Sequence, residues 1–192
     1  MAELWPFKVQ AAPFPLAGPI RRDLLALAKE PLSAILESRS PREPASAAKG
    51  LEAALPLVVT VKVGGQLIAR TWQLERPEPL QQAALILGAQ VLTDPKMGRP
   101  LTEEELPQAV VSLAVLSDLK EAKDDQEVRQ GQATIVLNGF KQSVGLPSDV
   151  PIGAKARDLL NLTCQLAGLR PGAWMTSRST ILTAQVSEVF DK

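Results

Sequence analysis

Apolar residues spaced three and four positions apart predict three helices. The first begins at Arg21 and carries a leucine-rich stripe, in which Pro31 is expected to kink or divide the helix. The second is predicted over Pro79 to Thr93, with proline in its first turn. The third covers Ala154 to Ala167 and is closed by Gly168 in the C-cap position.

Runs of β-branched residues predict two hairpins and two further strands. Leu57 to Val63 and Gln66 to Leu74 are separated only by Gly64-Gly65, which fits a two-residue turn. Asn138-Gly139 is a strong turn signal between a second pair of runs. The other predicted strands are Ala133 to Leu137 and Phe140 to Gly145 of that second hairpin, Val110 to Leu116, and Ile181 to Phe190.

The order hairpin then helix occurs twice, near residues 57–93 and 133–168. An internal structural duplication, which would give two pseudo-repeated halves, is one explanation for this order. Coincidence is the other explanation, because hairpins followed by helices are common in α+β proteins.

Prolines dominate the start of the chain and forbid a continuous helix there. Residues 1–20 are therefore predicted to form an extended N-terminal arm that packs through Trp5, Phe7 and Phe14. Residues 21–192 are predicted to form a single domain of two packed subdomains.

The chain has no histidine, no tyrosine and one cysteine, so most of the common catalytic groups are absent. Without imidazole there is no Ser-His-Asp or Cys-His arrangement and no histidine-bearing metal site. Cys164 falls on the predicted buried stripe of its helix, where packing is favoured over reactivity. We therefore expect no metal and no cofactor, since neither calcium-loop spacing nor a phosphate-binding glycine pattern occurs.

Charge and targeting signals also narrow the classes of protein. Basic and acidic residues number 21 each, so no global field attracts nucleic acid or an anionic membrane. The opening M-A-E-L-W-P lacks a basic region followed by an apolar core, and a lone cysteine forms no intrachain disulfide. No apolar stretch reaches the ~20 residues that span a bilayer. We expect a cytoplasmic protein without a membrane span.

Several longer segments, taken together, resemble one known family. They include the first hairpin with its helix, D-P-K-M-G-R-P-L-T-E-E-E-L from Asp94, and V-V-S-L-A-V-L-S ending at Ser117. Gly145-Leu146-Pro147 and C-Q-L-A-G-L-R-P-G-A-W from Cys164 to Trp174 continue the match downstream. In order and spacing these segments resemble the AMMECR-domain family. The resemblance covers most of the chain.

The resemblance implies an α+β fold of two pseudo-repeated halves that share a mainly antiparallel, barrel-like sheet flanked by helices, with a cavity between the subdomains. Relatives in this family occur beside, or fused to, Memo-type proteins and radical S-adenosylmethionine enzymes. Such proteins are therefore candidate partners of this chain.

The chain departs from the family pattern at the segment that the resemblance assigns to the functional site. Family members carry L-R-G-C-I-G on the strand that leaves the first hairpin, whereas this chain has Leu67-Ile68-Ala69-Arg70-Thr71-Trp72. Arg70 replaces the cysteine and Trp72 replaces the final glycine. The thiol and the close backbone approach of the family motif are thus lost.

Two interpretations of Arg70 remain open at this stage. A two-residue turn places Arg70 opposite Val59, on an apolar face where a permanent charge must meet a carboxylate, carbonyls, a ring or a bound anion. One interpretation is an anion-binding pocket. The other places Arg70 at the sheet edge, reaching a surface carboxylate, while Trp72 opposite Leu57 fills space.

Five residues are candidates for ligand binding: Arg70, Thr71, Trp72, Lys96 and Arg99. Lys96 and Arg99 lie beside prolines in the segment after the second helix, a position where loops often carry binding groups. They either reinforce Arg70 or are ordinary solvated charges.

The sequence favours a divergent family member that acts as a binding or adaptor module without independent catalysis. The alternative is an enzyme that holds a small anionic substrate between the subdomains through Arg70 and nearby basic residues, with carboxylates moving protons. A nucleic-acid accessory role is the weakest hypothesis, because the net charge is zero.

Overall fold

The computed structural model describes residues 16–42, 51–75 and 77–190, which form an α+β structure as predicted. The helices are α1 (Gly18–Leu36), α2 (Leu80–Thr93) and α3 (Ala156–Leu166). The strands are β1 (Leu57–Val63), β2 (Gln66–Gln73), β3 (Met97–Gly98), β4 (Ala109–Leu116), β5 (Lys120–Ala122), β6 (Gln132–Asn138), β7 (Lys141–Gly145) and β8 (Ser179–Val189). Short 3₁₀ helices lie at Leu106–Gln108, Pro147–Asp149 and Ala173–Met175.

The eight strands form one antiparallel sheet that is nearly closed and barrel-shaped. Its order is β3-β2-β1-β4-β8-β6-β7, with β5 paired to β8. The last strand, β8, is long enough to serve both parts of the sheet: residues 179–185 pair with β6, and residues 186–189 pair with β4. The hairpins β1-β2 and β6-β7 therefore lie on opposite sides of β4 and β8.

Three apolar clusters pack against the two faces of this sheet. The outer face of β1 and β4 packs against α1 and α2, and the two helices come so close that a Cβ on Gly88 would lie 2.3 Å from the Ala28 carbonyl oxygen. The barrel interior is filled from both halves, and α3 covers β6 through Leu160 and Cys164. Cys164 is fully buried, which confirms its predicted packing role.

The first helix begins earlier than predicted. Gly18 to Ile20 belong to α1 and not to an extended arm, because Pro19 lies in the first turn, where a missing N–H costs no hydrogen bond. Residues 1–15 of the predicted arm, which include Trp5, Phe7 and Phe14, lie outside the described residues. Pro31 does not divide α1, which continues to Leu36.

Both hairpins are followed by a helix, in the order β1-β2-α2 and β6-β7-α3. A common origin of the two halves stays a prediction. The sequence missed β5, a strand of three residues with two charged side chains, because so short a run has no apolar alternation.

A β-bulge at Ile68 changes the register of the first hairpin. Lys62 lies opposite Leu67, but Val61 lies opposite Ala69, so Ile68 is an extra residue on β2. The short strand β3 covers this point, where the Arg99 N–H donates to the Ile68 carbonyl oxygen at 3.3 Å.

The prediction of which face of the sheet holds each β2 side chain is therefore wrong after the bulge. Arg70 lies opposite Thr60 instead of Val59, and Trp72 lies opposite Val58. Because one extra residue moves every later side chain to the other face, Arg70 and Trp72 point into the barrel interior and away from α1 and α2.

Candidate functional site

The Arg70 side chain is fully buried and is held by acceptors from three parts of the chain. Its Nη1 and Nη2 donate to Asp149 Oδ2 and Oδ1, both at 2.7 Å, so the pair is bidentate. Nη1 also donates to the Val144 carbonyl oxygen at 2.7 Å, and Nε donates to Thr60 Oγ1 at 2.9 Å. The guanidinium is thus surrounded by protein oxygen atoms.

These contacts join β2, next to one end of the sheet, to β7 at the other end and to the segment after it. Arg70 belongs to β2, whereas Val144 lies on β7 and Asp149 lies in the 3₁₀ helix that follows β7. A second contact crosses the same gap, because Trp72 Nε1 donates to Gln142 Oε1 at 3.3 Å. We call the set of Arg70, Trp72, Gln142, Val144 and Asp149 the barrel seam, where side chains take the place of strand pairing.

Asp149 is fixed by its own backbone environment. Its Oδ2 accepts the Leu146 N–H at 2.8 Å, which caps the 3₁₀ helix, and its side chain is 5% exposed. A buried carboxylate of this kind needs its cationic partner, since an unpaired buried charge is strongly unfavourable. The pair therefore contributes to the closed form of the barrel.

The structure gives Arg70 the carboxylate partner of the second interpretation, but at a buried position instead of the surface. Its partner is a protein carboxylate and not an open anion pocket, and the side chain is buried in the interior and not at the sheet edge. The bulge at Ile68 explains the difference, because it turns Arg70 inward, where only a buried partner can neutralise it.

Of the other candidates, Lys96 alone joins Trp72. The Lys96 Nζ donates to the Trp72 carbonyl oxygen at 2.6 Å and lies 5.8 Å from the centre of the indole ring. Burial lowers the pKa of Lys96. Thr71 lies on the opposite face of β2, and its buried Oγ1 has no hydrogen-bond partner among the described residues.

Arg99 does not reinforce Arg70. Its Nη1 and Nη2 donate to Glu105 Oε2 and Oε1 at 2.7 and 2.6 Å in an exposed pair. The Arg99 hydrogen bond lowers the pKa of Glu105 to about 2. Arg99 thus orders the segment after β3.

Glu188 is a partly buried acid near the seam. Its Oε1 accepts the Ser148 N–H at 3.2 Å, while its buried Oε2 has no hydrogen-bond partner among the described residues. Burial raises the pKa of Glu188, and the charge of Asp149 acts in the same direction.

Glu188 also lines a large groove between α1 and the end of β8, with a volume of about 1050 Å³. We call it the α1–β8 groove. Its lining residues are Gly18, Pro19, Arg21, Arg22, Leu25, Ala26, Lys29, Glu30, Ser33, Glu188, Val189 and Phe190. The groove therefore combines basic side chains from one helix with an acid and apolar side chains from the final strand.

The sequence did not identify Asp149, Glu188 or the groove. Asp149 is 79 positions from Arg70, and its only local signal is the Pro147-Ser148-Asp149 turn. Arg21 and Arg22 lie beside a leucine stripe that indicated only a packed helix. Among the described residues, no group of three or more cysteine, aspartate and glutamate side chains is placed to share a metal ion, and no helix is long and apolar enough to cross a bilayer.

Two acids of the groove are expected to change stability with pH in opposite directions. Hydrogen bonds from Arg39 and the Arg42 N–H lower the pKa of Glu30 to about 2, from 4.5, so its contribution is present above pH 4.5 and is lost as the pH falls toward 2. The raised pKa of Glu188 gives a contribution that is present below pH 4.5 and is lost as the pH rises above it.

Melting temperatures between pH 2.5 and pH 8 test this difference. Glu30→Gln is expected to reduce the fall in melting temperature toward low pH. Glu188→Gln is expected to reduce the fall on the alkaline side of pH 4.5. Curves parallel to that of the wild type in both variants would contradict the assignment.

The geometry defines a class of protein: an α+β domain with a nearly closed antiparallel sheet whose gap is bridged by a buried arginine–aspartate pair. Residues 25–189 match the AMMECR1 family model, and the chain belongs to the AMMECR1 family. This confirms the resemblance found in the sequence.

A solved structure supports the fold. The chain is similar to the crystal structure of an uncharacterized protein from Pyrococcus horikoshii, with a TM-score of 0.72 and 20% sequence identity. The likeness covers 90% of this chain and 92% of the other, and at this identity it concerns the fold alone. No curated protein matches the chain.

Proposed function

We propose that this chain is a binding module that recognises a partner protein and has no independent catalytic chemistry. The supporting observation concerns Arg70, which occupies the position where relatives carry the motif cysteine. There Arg70 directs its Nε, Nη1 and Nη2 to protein acceptors and is fully buried. A side chain held in this way stabilises the barrel and offers neither a thiol nor a free charge to a substrate.

The resemblance to the family suggests two kinds of partner, Memo-type proteins and radical S-adenosylmethionine enzymes. The proposal also places the protein in the cytoplasm, where its cysteine stays reduced. A module of this kind needs an accessible surface, and the α1–β8 groove is a surface of suitable size.

Titration of the purified full chain against a Memo-type protein and a radical S-adenosylmethionine enzyme tests the proposal. We expect saturable binding to at least one of them, measured by isothermal calorimetry, with a dissociation constant of about 1 μM, or roughly −8 kcal/mol. A family member that carries L-R-G-C-I-G serves as the positive control. Failure to bind either protein, where the control binds, would contradict the proposal.

A catalytic role has a separate test. The double variant Arg70→Met/Asp149→Asn removes the ion pair, while the amide oxygen of the introduced asparagine keeps an acceptor for the Leu146 N–H. Turnover of a small molecule by the wild type that this variant loses, while it remains folded, would overturn the non-catalytic assignment.

A further inference from the structure

The α1–β8 groove has an apolar floor and basic walls. Leu25 and Val189 form part of the floor and are 8% and 9% exposed, while Phe190 stands at the rim and is half exposed. Arg21, Arg22 and Lys29 of α1 supply the basic side chains of the lining. A surface of this composition fits a ligand that is both apolar and acidic.

The two acids of the lining offset this charge only in part. Glu30 is already bound by the Arg39 guanidinium and the Arg42 N–H. Glu188 lies beside the 3₁₀ helix that follows β7. Neither acid forms an ion pair with Arg21 or Arg22, which have no acidic partner among the residues that the structure describes. Within the part of the chain that the structure describes, Arg21 and Arg22 are therefore available to an incoming acid.

The position of these arginines in α1 is unfavourable for the helix itself. The first turn of α1 contains no acidic residue, and its N-cap makes no side-chain hydrogen bond. Arg21 and Arg22 therefore add positive charge near the end of the helix that already carries the positive pole of the dipole. A local arrangement that does not serve stability is typical of a functional surface.

The length of α1 along the groove suits an extended peptide. The acidic side chains of such a peptide can pair with Arg21 and Arg22. The span of α1 from Gly18 to Ser33, at 1.5 Å per residue, is about 22 Å, which is the length of about seven extended residues.

We propose that the α1–β8 groove binds an acidic segment of a partner polypeptide, in which aspartate or glutamate residues accompany apolar side chains. Its carboxylates pair with Arg21 and Arg22, and its apolar side chains pack on Leu25 and Phe190. This inference rests on the proposed function and names the surface and the partner chemistry.

Fluorescence anisotropy with a labelled 12-residue peptide of aspartate, glutamate and leucine tests the inference on the full chain. The matched neutral peptide replaces each acid by its amide. We expect the acidic peptide to bind, and we expect its affinity to fall with added salt. The amide peptide should bind at least tenfold more weakly.

Charge-reversal variants test whether the acidic peptide binds in the α1–β8 groove. Arg21→Glu/Arg22→Glu is expected to lower the affinity for the acidic peptide about tenfold or more. The variant should keep α1 stable, because acidic residues near a helix N-terminus interact favourably with the helix dipole. Arg170→Glu/Arg178→Glu removes the same charge from exposed positions outside the groove and should bind as the wild type does. Melting temperatures of both variants confirm that they are folded.

Several results would overturn the inference. They are no binding of the acidic peptide, equal loss in both double variants, or a concentration-dependent dimer that Arg21→Glu/Arg22→Glu abolishes. The proposed function fails separately. If a partner protein binds the wild type and Arg21→Glu/Arg22→Glu equally, the proposed function is supported and the groove is not the binding surface. If the peptide binds in the groove but no partner protein binds, the inference is supported and the proposed function is contradicted.

Discussion

Arg70→Ala is expected to lower the free energy of unfolding by about 3 to 5 kcal/mol. The substitution leaves the Asp149 carboxylate buried without its cation and removes the donors to Val144 and Thr60. It also opens the barrel seam, since β2 and β7 are the strands that these contacts join. Urea denaturation followed by circular dichroism measures the loss.

Two further variants separate the ion pair from a general effect of losing arginine. Arg70→Met/Asp149→Asn is expected to be more stable than Arg70→Ala, because it leaves no unpaired buried charge. It should not reach the stability of the wild type, because the Val144 and Thr60 acceptors still lack their donor. Arg99→Ala removes a bidentate pair with Glu105 that is exposed, and it should change stability far less. A double variant no more stable than Arg70→Ala would show that the pair is not the cause.

Trp72→Gly, which restores the residue type of the family motif, is expected to destabilise the fold by about 3 to 5 kcal/mol. Trp72 is 2% exposed and fills the interior beside Val58 and Leu74. Its removal should leave a cavity of the shape of an indole ring. Added indole is therefore expected to raise the melting temperature of the variant and not that of the wild type.

Trp72→Phe is the matched control for this cavity. It keeps most of the apolar volume and loses the hydrogen bond to Gln142. We expect a smaller loss of stability, and no effect of indole. If indole fails to stabilise Trp72→Gly, the neighbouring side chains have collapsed into the space, and the site is not a latent ligand cavity.

Turn chemistry and periodicity explain why much of the fold was predictable. The first tight turn lies at Gly64-Gly65, as predicted. The second lies at Gly139-Phe140, one residue later than the predicted Asn138-Gly139, because Asn138 is the last residue of β6 and pairs with Lys141. The helices follow from local apolar spacing, and Gly168 has the positive φ of 67° that a helix end requires. The ends of these elements differ by a few residues, because capping depends on neighbouring packing.

The candidate site was less predictable because it depends on contacts that local sequence does not encode. Ile68 carries no signal for a bulge, yet it decides which face of β2 holds Arg70. Asp149 becomes the partner of Arg70 only when the sheet curves almost into a barrel. Lys96 and Arg99 are three positions apart and still serve different partners, Trp72 and Glu105.

The double pairing of β8 has a consequence for biosynthesis. Because β8 contributes to both parts of the sheet and follows every other strand in the chain, a nascent polypeptide on the ribosome cannot complete either half early. The edges of β4, β5 and β6 that pair with β8 stay without their partner strand until residue 189 has emerged. The sheet is therefore expected to be completed only after β8 has been synthesised, with the long-range pairing of β8 as the slow step. Chaperones are expected to shield the unpaired strands until then.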